Sequence, residues 1–363
     1  MNVLIRVDAS IEIGTGHVIR CLTLAEKLRR HGAEVRFICR EHVGHLCDLI
    51  EIKGYTVLRL PLVQEKQSLP ADTAQSQWLR VSQQQDAAQT KRLLKKEAVD
   101  LLVIDHYAIN EVWESILRET TKKIMVIDDL ADRKHDCDFL LDQNDYDEYQ
   151  LRYKSLVPAP CKTFLGPNFV LFRSEFYFPV KRRIRRGPVK RLLLFFGGSD
   201  QTNETKKALH AFLALNRTDI QIDLVVGQTN LHKKELAHIC KQYDFLTFHY
   251  QVNYLAELMY KADLSIGAGG TTTWERCMMG LPSIVWSIAD NQVKICENAG
   301  RKKIVAYLGK KEEVETSLVS KQLCSLLGNE TARTEMSIRG YLLMKNNRLS
   351  QQMLVQEIMR VDE

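Results

Sequence analysis

The sequence reads as an α/β protein built from two parallel sheets in tandem, and three observations lead there. Short apolar runs alternate with helical stretches, the alternation occurs twice with a basic, proline-bounded run separating the halves, and the residues just after the strands are polar or glycine-rich. At 363 residues with 45% hydrophobic composition, the chain is long enough for two domains that each bury a core.

Strands are expected first at 3–7, 34–39, 56–60, 99–104 and 123–127, with 22–31 and 85–96 among the helices between them. That is the pattern of a parallel sheet covered on both faces. The stretch 64–89, rich in Gln, Ser and Ala and containing Trp78, reads as a polar insertion or a loop followed by a helix. The run 178–190 includes Lys181-Arg182-Arg183-Ile184-Arg185-Arg186 and reads as a solvated interdomain linker, with a phosphate-facing tether as the second reading. Strands then recur at 191–196, 221–226, 246–249, 264–266, 283–286 and 304–307, with helices from Glu204, His232, Tyr254, Thr273, Asn291 and Ser317 onward. Residues 328–360 are apolar at helical spacing and read as two helices, one folding back across the first domain. The expected domains are 1–178 and 188–345, facing each other across a cleft, followed by a helix at 346–363.

Bulk composition excludes several classes. The net charge of +6 suits an anionic ligand, but 51 basic against 45 acidic residues make a mixed surface, so nucleic acid is not an expected partner. Nine cysteines without a C-x-x-C pair read as reduced thiols in a cytoplasm. The opening Met-Asn-Val-Leu-Ile-Arg is already a core strand, which leaves no room for a secretory leader. No apolar run approaches bilayer length, so no transmembrane segment is expected.

Ligands of open parallel sheets bind beyond the carboxyl ends of the strands, where this chain concentrates its unusual residues. Gly14-Thr15-Gly16-His17 follows the first strand and opens a helix, placing an imidazole beside backbone N–H groups able to hold a phosphate. The third glycine of a dinucleotide fingerprint is missing, and no acidic residue ends the next strand, which disfavours a nicotinamide or flavin cofactor. The positive end of a helix dipole disfavours imidazolium at His17 and suits a general base; the plainer alternative is a histidine that caps the turn or binds phosphate. His106 and Tyr107, after the fourth strand, offer a second imidazole and a phenol.

In the second half, Gly267-Ala268-Gly269-Gly270-Thr271 is a glycine-rich turn lacking the lysine of a P-loop, which suggests diphosphate cradling rather than triphosphate hydrolysis. Glu275 has two readings. It either closes a capping box with Thr272 as N-cap or accepts both hydroxyls of a ribose. Gly197-Gly198-Ser199-Asp200 reads as a tight turn with an N-cap for the helix at Glu204. Asn291 and Gln292 suit neutral hydrogen bonds to diphosphate or sugar, or helix capping. Asp128-Asp129, with His135, Asp136, Cys137 and Asp138 nearby, shows no metal-ligand spacing, and no metal or cofactor is expected.

At these residues the sequence resembles the UDP-2,4-diacetamido-2,4,6-trideoxy-β-L-altropyranose hydrolases of pseudaminic-acid biosynthesis. The matching runs are Arg6-Val7-Asp8-Ala9-Ser10 through Gly14-Thr15-Gly16-His17 to Arg20, Asp105-His106-Tyr107, Asp128-Asp129, Gly197-Gly198-Ser199-Asp200, and Gly269-Gly270 to Glu275 with Asn291-Gln292. They span roughly the first 300 residues. The glycine-rich turns of the second half are shared with two-Rossmann glycosyltransferases of the GT-B type. The resemblance implies a GT-B-like fold related to MurG and a metal-independent, inverting hydrolase that releases UDP and free sugar from a UDP-linked diacetamido sugar. It assigns His17 as the base on water, Glu275 as the ribose ligand, and Asn291 to the diphosphate and sugar. Gly14, Gly16, Tyr107, Gly269, Gly270, Thr271 and Gln292 complete the expected substrate contacts. A GT-B glycosyltransferase, or a nucleotide-sugar-binding protein without turnover, are the alternatives; nothing in the sequence names a protein partner.

Overall fold

A computed structural model describes residues 1–63, 74–94, 97–177 and 182–360. The chain divides into two compact units, the first comprising residues 1–144, 148–171 and 347–363, the second 145–147 and 172–346.

The first unit runs β1 (Asn2–Val7), α1 (Gly16–Arg30), β2 (Glu34–Arg40), α2 (Cys47–Ile52), β3 (Thr56–Leu60), α3 (Gln83–Leu93), β4 (Val99–Asp105), α4 (Glu111–Arg118), β5 (Thr121–Ile127), β6 (Phe139–Asp142) and β7 (Lys162–Leu165). All seven strands are parallel, in the order β3-β2-β1-β4-β5-β6-β7. Helices cover both faces of such a sheet, which is why the central strands read as continuous apolar runs. In α1, Val18, Cys21, Leu24, Ala25 and Leu28 fall on one stripe and enter the core with Val3, Ile5 and Val7. Lys27, Arg29 and Arg30 in its last turn complement the negative end of the dipole.

The second unit runs β8 (Arg191–Phe195), α5 (Glu204–Leu213), β9 (Gln221–Val226), α6 (Lys233–Cys240), β10 (Leu246–Tyr250), α7 (Leu255–Lys261), β11 (Leu264–Ala268), α8 (Thr272–Met278), β12 (Ser283–Ser287), α9 (Asp290–Arg301), β13 (Ala306–Lys310), α10 (Thr316–Gly328) and α11 (Glu330–Leu343). Its six parallel strands are ordered β10-β9-β8-β11-β12-β13. The final helix, α12 (Asn347–Met359), belongs to the first unit. Leu354, Val355 and Ile358 join that unit's core, and Asn347 Nδ2 donates to the carbonyls of Asn168 (2.9 Å) and Val170 (3.0 Å).

Two expectations change, and the described part of the stretch 64–89 follows one of its two readings, a loop followed by a helix. The described part of the basic run is not solvated linker: Arg185 is buried, with its guanidinium donating to the carbonyls of Met259, Ala262 and Met279. Arg183 donates to the carbonyls of Tyr260 and Ala262, and Arg182 to those of Met278 and Tyr341, so the run satisfies orphan carbonyls at the ends of α7, α8 and α11. Residues 178–181 of it lie outside the described residues. Of the stretch 64–89, residues 64–73 likewise lie outside, but the rest is built into the fold. Ser82 and Gln85 form a reciprocal capping box at α3, and Asp86 is fully buried, accepting from Arg6, Arg40 and Trp113. Finally, β6 and β7 extend the first sheet beyond the five strands expected; at four residues each they are too short to carry a periodic signal. No helix among the described residues is long and apolar enough to cross a membrane.

Candidate active site

Each sheet reverses its strand order at one place, the position beyond whose carboxyl ends open parallel sheets bind their ligands. In the first unit this is between β1 and β4, where Val7 pairs with Asp105. Beyond β1, Ser10 Oγ accepts the N–H groups of Glu12 (3.1 Å) and Ile13 (2.9 Å), and the Gly14 N–H returns to the Ser10 carbonyl (2.9 Å). Gly14 sits at φ +81°, a conformation that side chains with a Cβ rarely adopt. Thr15 is the N-cap of α1 without a side-chain cap. Among the described residues the N-cap side chain therefore leaves the N–H groups of the first turn unoccupied.

His17 lies on that turn with its side chain 10% exposed, its Nδ1 at 2.6 Å from Asp105 Oδ1. Arg20, one turn further along α1, grips the same carboxylate through Nε (2.5 Å) and Nη2 (2.7 Å) and reaches Asp129 through Nη1 (2.6 Å). Burial would raise the Asp105 carboxyl, but the Arg20 charge and the hydrogen bonds from Arg20 and His17 outweigh it and hold Asp105 well below the carboxylate range. Asp105 is therefore an anion whose first task is to keep a proton on Nδ1. His17 Nε2 is left without a protein hydrogen bond among the described residues, and in the neutral ring it carries the lone pair.

The second imidazole differs. His106 is buried, its Nδ1 accepts the Ala108 N–H (3.1 Å), and its Nε2 stands 3.3 Å from Asp8 Oδ2. Burial pushes its pKa down. Tyr107 is also buried, and its hydroxyl donates to Asp129 Oδ2 at 2.5 Å while its ring meets His17 edge-on with centroids 4.6 Å apart. Asn144 Nδ2 donates to Asp129 Oδ1 (2.7 Å), and Asp142 beside it is pushed up to about 8 by burial and the Asp129 charge. Asp128 accepts from Tyr153 (3.0 Å) and pairs with Arg133 (2.9 Å). Among the described residues no group of three His, Cys, Asp or Glu side chains is arranged to hold a metal ion.

In the second unit the reversal lies between β8 and β11. Asp200, after β8, accepts the N–H groups of Glu204 (2.8 Å) and Thr205 (2.9 Å) at the start of α5, although the N-cap position itself falls to Asn203, whose side chain makes no cap bond. After β11, a Cβ on Gly269 would stand 1.9 Å from Cys296 Sγ on α9, so any larger residue there would force that thiol to move. The capping box expected at Thr272 and Glu275 is not formed: α8 starts one residue earlier, with Thr271 as N-cap and no side-chain cap. Glu275 instead accepts from Arg173 (3.2 Å), whose other terminal nitrogen pairs with Glu175 (2.7 Å). Gln292 Oε1 accepts the Ile288 N–H (3.0 Å), which secures the entry to α9, and its Nε2 lies 3.3 Å from where a Gly270 Cβ would be. Asn291, partly buried, sits beside it in the first turn of α9.

The glycosyltransferase family 28 C-terminal domain matches residues 192–352. The uncharacterized protein MJ1062 of Methanocaldococcus jannaschii is 28% identical over 295 residues, 78% of this chain but 55% of its own, so this chain spans about half the length of that relative. The UDP-2,4-diacetamido-2,4,6-trideoxy-β-L-altropyranose hydrolase of Campylobacter jejuni is 29% identical over 264 residues, 72% of this chain and 83% of its own. Among solved structures, MurG of Acinetobacter baumannii superposes with a TM-score of 0.62 at 14% identity over 99% of both chains. Phytolacca americana UGT2, complexed with UDP-2-fluoro-glucose and pterostilbene, gives 0.69 at 12% identity over 100% of both. The chain has the GT-B fold.

Within that fold, sequence reasoning missed three side chains. Asp105 was visible as a polar strand end, but its partnership with His17 joins residues 88 positions apart. Arg173 lies in no motif that the sequence made conspicuous. Arg276 follows Glu275 and looks like a surface residue of a short helix, yet it is buried beneath the glycine turn, donating to the Ala268 carbonyl (2.6 Å) and Thr273 Oγ1 (3.2 Å). Burial, which the charge of Glu275 only partly offsets, pushes its guanidinium down to about 10.

Proposed function

We propose that this protein is a nucleotide-sugar hydrolase, cleaving the anomeric C–O bond of a UDP-linked 2,4-diacetamido-2,4,6-trideoxyhexose with water and inverting the configuration. The observation that carries the reading is the His17–Asp105 pair: an oriented imidazole, fixed on one nitrogen by a buried carboxylate and open on the other. The Campylobacter hydrolase supports the substrate class, and the nucleotide in the UGT2 complex supports UDP.

In this mechanism His17 Nε2 removes a proton from water as the water oxygen bonds to C1, while Asp105 stabilises the imidazolium that forms. The C1–O bond to UDP breaks through an oxocarbenium-like state, and the electron pair leaves with the diphosphate. UDP is a good leaving group and needs no proton from the protein. Backbone N–H groups of the uncapped Gly14–Gly16 and Gly269–Thr271 turns are the candidates to meet the developing diphosphate charge. Glu275, steadied by Arg173, accepts the ribose hydroxyls, and Asn291 and Gln292 contact diphosphate or sugar. Tyr107 acts through its ring against His17 and through its bond to Asp129.

The family 28 match favours one other reading, a transferase in which His17 deprotonates a hydroxyl acceptor. Purified protein with the UDP-sugar and no acceptor separates the two. A hydrolase releases UDP and free sugar in equal amounts over many turnovers; a transferase releases UDP only when an acceptor is added.

A further inference from the structure

The described part of the stretch before α3 carries one residue that the mechanism above does not use. Trp78 lies in a single 3₁₀ turn (Ala74–Leu79), half-buried, with its ring stacked on Tyr107 (centroids 5.6 Å, planes 28° apart) and edge-on to His17 (6.2 Å) and His106 (6.4 Å). The turn is pinned on several sides. Leu79 and Val81 enter the core, Arg80 pairs with Glu12 in the loop leading to Gly14 (3.2 Å), and the Ser82–Gln85 box starts α3. Arg80 holds a left-handed backbone at φ +63°, a strained conformation for a residue with a side chain, which the surrounding contacts must maintain.

The other tryptophans serve the interior. Trp113, Trp274 and Trp286 are completely buried, and the indole N–H groups of Trp113 and Trp286 donate to Asp86 (2.9 Å) and Glu204 (2.8 Å). The Trp78 indole N–H has no protein acceptor among the described residues. A turn held at a strained residue thus fixes an amphipathic ring, whose donor has no acceptor among the described residues, next to the His17 ring. Aromatic rings in polar pockets serve to cover apolar ligand faces while a polar edge orients the ligand.

Resting on the hydrolase reading, we propose that Trp78 is the sugar-selecting wall of the site. Its ring covers the C–H face and C6 methyl of a 6-deoxyhexose, and its Nε1–H donates to an acetamido carbonyl. The substrate class it selects is a deoxy, N-acylated hexose, against fully hydroxylated hexoses.

The test uses the full-length protein in two assays. In the first, acrylamide quenching of tryptophan emission is measured on a His17→Leu protein with UDP alone and with intact UDP-diacetamido-trideoxyhexose. Three of the four tryptophans are completely buried, so accessible emission reports Trp78. The UDP-sugar is expected to shield it at least twofold, UDP alone to leave it accessible, and the effect to vanish in His17→Leu/Trp78→Phe. In the second, Trp78→Ala is expected to lower kcat/KM for the diacetamido-trideoxy substrate at least tenfold relative to UDP-N-acetylglucosamine. Trp78→Phe retains most of the selectivity, and UDP affinity is unchanged in both, which also reports folding. Hydrolysis by the parent with no shielding and no change in the selectivity ratio overturns the role of Trp78 and leaves the hydrolase reading intact. Shielding by a UDP-sugar that the parent does not hydrolyse upholds the sugar wall and overturns the hydrolase reading.

Discussion

The two sheets reach their switch points with different equipment. The first unit places charged and aromatic side chains there: His17, Asp105, Arg20, Asp129 and Tyr107 form one hydrogen-bonded network with carboxylates at its centre. The second unit places glycines there. Its polar side chains largely hold the loops in shape: Asp200 accepts N–H groups at the start of α5, Gln292 secures α9, and Arg276 props the turn from beneath. Side chains supply groups that change protonation state, whereas backbone N–H groups supply fixed dipoles that bind charge without changing. Under the proposed mechanism the reaction falls to the first unit and the hold on the nucleotide mainly to the second, so substitutions in each should fail in different ways.

The largest expected effect is at the base. His17→Leu should lower kcat by about 10³-fold, within the range for loss of a general base, with UDP affinity unchanged by calorimetry. Equal losses of kcat and UDP binding would erase the division of labour. Asp105→Asn should follow at about 10²-fold in kcat, because an amide permits the wrong imidazole tautomer and no longer stabilises imidazolium. Its KM should move little. Glu275→Gln should show the opposite pattern: UDP affinity falls about tenfold, equivalent to ~1.4 kcal/mol, and kcat at saturating substrate changes by less than threefold. A collapse of kcat with intact UDP affinity would relocate Glu275 to the reaction.

The smallest effect concerns stability. Asp142 in the folded chain keeps its proton up to about 8, whereas in the unfolded chain it ionises near 3.8. Between these values the native state binds more protons, so this carboxyl's contribution to stability declines as pH rises and is gone above about 8. Asp105 has the opposite sign: its contribution is present above the ordinary carboxylate range and is lost as pH falls through its depressed folded value. In thermal melts from pH 5 to pH 8, the parent should therefore lose Tm relative to Asp142→Asn. Parallel curves would show that Asp142 is ionised throughout.

How much of this was legible depends on range. Gly14, His17, Gly269 and Glu275 stood out because their meaning is local: a glycine or imidazole between a strand and a helix. The alternation of strands and helices gave the two parallel sheets for the same reason. What stayed hidden was set by tertiary distance. Nothing around Asp105 indicates that it faces His17 rather than Asp128 or Asp129, because that follows from β4 lying beside β1 in the sheet. Trp78 sat in a stretch that composition marked as polar, and the arginines at 182, 183 and 185 looked solvated because charge runs usually are. Their partners are carbonyls at helix ends, which carry no sequence signature. The start of α8 differed by one residue from the expected N-cap, and that single step removed the capping role of Glu275.

The most direct test of the central claim, that His17 delivers water to the anomeric carbon, follows the oxygen. The parent protein is incubated with UDP-2,4-diacetamido-2,4,6-trideoxyhexose in ¹⁸O-labelled water, and the products are read by NMR and mass spectrometry before mutarotation. Label on the anomeric oxygen of the sugar, with inverted initial configuration and a rate that falls in His17→Leu, is the predicted result; label in UDP would place the attack at phosphorus and contradict it.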